Sequence, residues 1–156
     1  MGICVRTTNE GGAALKAIPA LWTTFFTQDI KTKIPNRHPQ DSSLYCIYTD
    51  YEKDHTKPYT CFLGYRIQSD SHLIKNSERE SEQLGEGFFI KRIPGGIFQE
   101  YTVCGELSKG GVYQEWVKIW QDASLKRTFT ADYEQYDEAV LASGEGSVRI
   151  YLAIAN

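Results

Sequence analysis

A chain of 156 residues, 41% apolar and 13% aromatic, is long enough to bury a core and is read as one domain, 1–156. Its formal net charge is −3 and no cluster of Lys or Arg lies along an expected face, which argues against direct nucleic-acid binding. No signal peptide and no bilayer-length apolar stretch is evident, so a cytoplasmic protein without membrane attachment is expected.

Residues 2–8 (GICVRTT) read as a strand rich in β-branched residues. Residues 9–17 read as a turn into a helix. Pro19 suits the first helical position and disfavours helix in the residue before it, so a helix is expected over 19–27. Leu21, Trp22, Phe25 and Phe26 supply its apolar positions at helical spacing. Residues 31–43 read as a loop. Residues 44–49 and 59–68 are expected strands joined through a polar connection, and 69–87 reads as an exposed link. Strands over 88–93 and 97–104 flank Pro94-Gly95-Gly96, a hairpin signal. A second helix fits 111–123, with Val112, Trp116 and Ile119 on one stripe and Tyr113, Val117 and Trp120 beside it. Strands over 129–136 and 147–154 close the chain.

This order gives an α+β fold: a strand-helix-strand-strand unit repeated, with pseudo-repeats of about 1–68 and 88–156, one antiparallel sheet and two main helices. The tripeptide Asp-Tyr-Glu occurs in both halves, at 50–52 and at 132–134. Cys4, Cys46, Cys61 and Cys104 form no Cys-x-x-Cys pair and sit in strand-like runs, where free Cys behaves as a small hydrophobe. His38, His55 and His72 fall in polar segments and read as exposed. No metal site, no cofactor and no phosphate-binding or nucleophile-elbow motif is expected.

Several segments, in order, carry a resemblance. They are Ile18-Pro19-Ala20-Leu21-Trp22 with Phe25-Phe26, Tyr48-Thr49-Asp50-Tyr51-Glu52, 59–64, Ile93-Pro94-Gly95-Gly96, 116–120, and 132–137 with the closing strand 148–152. Together they resemble the GyrI-like (DNA gyrase inhibitor-like) effector-binding domain, found alone and as the ligand-sensing half of AraC-type and MerR-type regulators. Two departures stand out. The first strand is shorter than in relatives, and the helix-turn-helix segment of the regulators is absent.

The resemblance implies a cleft between the halves, lined by aromatics around a buried acid, and places that acid at Glu134. Alternation along a strand puts Asp132, Glu134 and Tyr136 on one face and Tyr133 and Gln135 on the other. On the residues alone Glu134 is either solvated and paired with Lys or Arg, or buried and in need of a cation. In the buried case the ligand is an amphipathic organic cation. Expected ligand-binding residues are Glu134, Trp22, Tyr48, Tyr51, Tyr65, Phe98, Trp116 and Tyr136.

Three functions follow. The first is multidrug-type binding of hydrophobic cations, for sensing or sequestration, alone or through a homodimer or regulatory protein partner. The second is hydrolysis of electrophilic small molecules by Glu134, Glu52 or Glu100, and Tyr136. The third is a gyrase inhibitor-like interaction module, for which the acidic run 77–82 is the candidate surface.

Overall fold

The computed structural model describes residues 1–68 and 87–156, with the backbone of Ser81–Gln83 between them. The strands are β1 (Gly2–Thr7), β2 (Leu44–Thr49), β3 (Tyr59–Tyr65), β4 (Ser81–Gln83), β5 (Phe89–Lys91), β6 (Ile97–Glu106), β7 (Ala131–Tyr136) and β8 (Glu145–Ile154). The helices are α1 (Ala14–Thr27), α2 (Ile30–Lys33), α3 (Gly111–Gln121) and α4 (Glu138–Ser143). All these strands join one antiparallel sheet in the order β4-β5-β1-β3-β2-β7-β8-β6.

Within that order lies a near-twofold plan. The first half runs β1-α1-β2-β3 and the second β6-α3-β7-β8, and the two meet where β2 pairs with β7. This is the expected α+β architecture with a duplicated unit and two long helices. Register then fixes which side chains share a face. On one face α1 buries Leu21 and Phe25 against Cys61, Leu63 and Tyr65, while α3 buries Trp116 and Ile119 against Ile150 and Leu152. On the other face Ile47, Phe62 and Ala131 cluster with Cys4, Tyr45, Phe89 and Tyr133.

No described helix packs on that second cluster, yet Ile47 and Phe62 are buried. Chain length explains why. From β5 to β6 there are six inter-strand steps, about 29 Å if the sheet were flat. The connection from Lys91 to Ile97 reaches at most about 22 Å. The sheet must therefore curl, and curling draws the rings of the helix-free face together.

Four local expectations need correction. β5 and β6 are not hairpin partners: β5 pairs with β1 and β4, and β6 with β8. The Pro94-Gly95-Gly96 stretch is instead the crossover between distant strands, where Pro94, with no N–H for a ladder, fits equally well. α1 begins five residues before the expected start and carries Pro19 inside it. The Leu15 carbonyl loses its helical donor there, and Leu15, at 62% exposed, stands open to solvent. α2 forms where a loop was expected, and α4 forms in the connection between β7 and β8. The reading of 69–87 as an exposed link, and of His72 as exposed, falls mostly outside the described residues. The exception is its backbone at Ser81–Gln83, which is strand β4.

Candidate functional site: a buried carboxylate in an aromatic cavity

β7 delivers the site. Its alternation places Asp132, Glu134 and Tyr136 beneath the helices and leaves Tyr133 and Gln135 half-buried on the other face. Glu134 is 3% exposed. Three neutral donors hold it: the Tyr48 hydroxyl at 2.8 Å and the Trp116 indole N–H at 2.5 Å on Oε1, and the Tyr136 hydroxyl at 2.7 Å on Oε2. Burial pushes the Glu134 carboxyl above its ordinary range, and the hydrogen bonds from Tyr136, Trp116 and Tyr48, with the Cys46 thiol beside them, pull back only part of that shift. None of these donors carries a charge.

Glu134 opens onto a cavity of about 580 Å³ between α1, α3 and the sheet. Of the expected binding residues, Trp22, Tyr48, Tyr51, Trp116, Glu134 and Tyr136 line it. Tyr65 and Phe98 do not. Tyr65, the last residue of β3, packs against Phe25 (6.0 Å between centroids) with Lys31 and Arg37 over its ring. Phe98 pairs with Ala153, a register that turns it to the helix-free face against Tyr133 (5.5 Å). The sequence reading omitted other lining residues: Asn9, His55, Tyr59, Tyr113 and Trp120. Trp120 and Tyr113 stood in view on the second stripe of α3. His55 had no such signal, being carried in by the β2–β3 connection.

His38 and His55 are half-buried rather than exposed. The His55 ring stacks on Trp120 at 5.9 Å and 7°. Its pKa is lowered, first by burial and then by Arg127. Asn9 anchors the same connection by donating to the His55 carbonyl at 2.9 Å, and accepts from the Tyr59 hydroxyl at 2.7 Å.

A second buried acid lies two residues from the first. Asp132 is fully buried and pairs with Arg127 at 2.7 Å. It also accepts from the Tyr51 hydroxyl at 2.8 Å and the Ala153 backbone N–H at 2.9 Å. This carboxylate is answered within the protein.

The carboxylates named as partners for Glu134 in hydrolysis lie elsewhere. β2 ends at Thr49, Asp50 takes a left-handed φ of 51°, and Glu52 is exposed in the turn beyond. Glu100 pairs with Tyr151 and so belongs to the helix-free face. Among the described residues Glu134 is the one acid lining the cavity. The Asp-Tyr-Glu echo is thus no structural repeat, since one copy is a turn and the other a strand. The repeat shows instead in the rings. Trp22 of α1 sits edge-on to Tyr136 of the second half (5.0 Å, 75°), and Trp116 of α3 sits edge-on to Tyr48 of the first (5.2 Å, 80°).

Among the described residues no cluster of His, Cys, Asp or Glu could hold a metal ion, and no helix is long and apolar enough to cross a membrane. Cys46 and Cys61 lie buried beside the site with sulfurs 3.7 Å apart, whereas Cys104 is exposed rather than packed.

The chain is similar to known proteins over nearly its whole length. The chain is 29% identical over 156 residues to YobU of Bacillus subtilis (strain 168), named as a candidate transcriptional regulator protein, covering 98% of this chain and 89% of YobU. The crystal structure of the integron cassette protein VCH_CASS2, from the mobile metagenome of Vibrio cholerae, superposes with a TM-score of 0.68 at 25% identity. That match covers 99% of this chain and 88% of the other. Both are consistent with the GyrI-like resemblance. Residues 1–154 match the Cass2 description, and the chain belongs to this family of integron-associated effector binding proteins.

Proposed function

We propose that this protein is a cytoplasmic receptor for small hydrophobic cations, which it senses or sequesters in the aromatic cavity with Glu134 as counter-charge. The family supports small-molecule binding in general. One observation carries the finer reading: Glu134 is a buried carboxylate whose three side-chain donors are all neutral and whose cavity is walled by rings. Among the described residues no opposite charge pairs with that anion, as one normally does on burial. An organic cation supplies it, and each ring face adds about 0.5–2 kcal/mol of cation–π attraction.

Glu134, Trp22, Tyr48, Tyr51, Trp116 and Tyr136 form the proposed binding set, within one domain, 1–156, built from pseudo-repeats of about 1–68 and 88–156. The role requires neither a cofactor nor contact with nucleic acid, and a homodimer or a regulatory protein partner would relay the signal. Hydrolysis by paired carboxylates gains no support, because neither Glu52 nor Glu100 lines the cavity.

Titration calorimetry with amphipathic cations and their neutral isosteres tests the reading, alongside Glu134→Gln. Cations are expected to bind and neutral isosteres to bind weakly or not at all, and the amide variant is expected to lose the difference. Silence toward every cation, or equal binding of cation and isostere, would remove the claim.

A further inference from the structure

The two halves of the cavity match in their rings and differ in their polar groups. Each helix sends a tryptophan across to the strand tyrosine of the opposite half, Trp22 to Tyr136 and Trp116 to Tyr48. Both tyrosines donate to Glu134. Across the β2–β7 ladder, however, the residue directly opposite Glu134 is Cys46. One half presents a carboxylate where the other presents a buried thiol.

This difference falls on the indoles. The Trp116 N–H is taken up by Glu134. The Trp22 N–H makes no hydrogen bond to any described residue, and it is not among the nitrogens sealed from solvent. Trp22 is half-buried and lines the cavity. Water satisfies such a donor while the cavity is empty. A purely apolar ligand covering it would strip that water and leave the donor unmade, which weakens binding.

We infer that the Trp22 indole N–H is a subsite for a hydrogen-bond acceptor, and that the ligand carries a carbonyl or ether oxygen on an arm separate from its positive charge. The inference rests on the cation reading of Glu134. Selectivity then has two sources, charge at Glu134 and an acceptor at Trp22. A cation without the acceptor binds more weakly than its shape and charge alone would give.

The test uses matched probes. One pair is benzyltrimethylammonium bearing a para-acetyl or the isosteric para-isopropyl group. A second pair inserts another phenylene ring to lengthen the reach. In at least one pair the acetyl member is expected to bind wild-type protein about fivefold to tenfold more tightly. The Trp22 indole proton resonance should move downfield with that probe and not with its isopropyl partner. In Trp22→Phe, which keeps a ring and drops the N–H, the ratio should fall to about one. Equal affinity within both pairs, or an undiminished acetyl preference in Trp22→Phe, would overturn the subsite and leave the Glu134 reading standing. Failure of all the cations to bind would overturn both. Should Trp22→Phe not fold, the indole resonance of the wild type, assigned through space, decides between the outcomes.

Discussion

Asp132 and Glu134 stand two residues apart on one strand, face the same way, and are both buried. They differ in what answers them. Asp132 holds Arg127, Tyr51 and a backbone N–H, so charge and hydrogen bonds are met by the chain itself. Among the described residues Glu134 meets only neutral donors and an open cavity. The first arrangement closes a structure and the second leaves a place for something else. Burial of a charge therefore says little about role until the partner is identified.

The largest expected effect falls on the closed member. Arg127→Ala strips Asp132 of its paired cation and should destabilise the fold by about 3–5 kcal/mol in denaturant unfolding, the usual result of breaking a buried ion pair from one side. If unfolding instead shifts no more than for a surface substitution, Asp132 and Glu134 are not as different as their contacts indicate. Next comes Glu134→Gln. Cation affinity should fall roughly 10-fold to 100-fold, the range expected for losing a charge-assisted contact, with the fold retained.

Acidity sharpens the same contrast. Only ionised Glu134 attracts a cation, and its pKa is raised by burial. Cation affinity should therefore decline as pH falls, beginning at a pH above that of an ordinary glutamate, and Glu134→Gln should show no such decline. The stability linkage has the opposite sign. A raised folded-state pKa means the folded protein takes up the proton first, so this stabilisation is fully present below the unfolded pKa and is lost as pH rises through the folded one. Ligand-free Glu134→Gln should accordingly match or exceed wild type in Tm at neutral pH, and that advantage should shrink in acid.

The smallest expected effect is that of Tyr136→Phe. It removes one of the hydrogen bonds that hold the Glu134 pKa down, so the pH at which binding declines should move upward, by about one unit or less. An unmoved or lowered midpoint would mean that the Tyr136 hydroxyl does not favour the charged acid.

Much of this site was legible in the sequence because it depends on short-range periodicity. The period of two along 132–136 put Glu134 and Tyr136 together, and helical spacing brought Trp116 into view. The resemblance chose between a solvated and a buried Glu134, a choice that period alone left open. What failed depends on pairing between distant segments. Nothing near Phe98 declares that its partner is Ala153, yet that register turns it away from the cavity. β5 and β6 could be read as a hairpin because turn chemistry is local, while the partners that claim them, β1 and β8, lie far off in sequence. His55 was missed for a related reason: a polar connection gives no sign that it will fold across Trp120.

The short stretch between β5 and β6 has a further consequence. It ties distant strands together across a span that it could not bridge if the sheet were flat, much as a string holds a bow in tension. The helices ride on the back of that bow, with the cavity between them. Slack let into the string by a few added residues at 94–96 would allow the bow to straighten and bring the helices closer. The width of the binding cavity is thus set in part by residues that never touch what it holds.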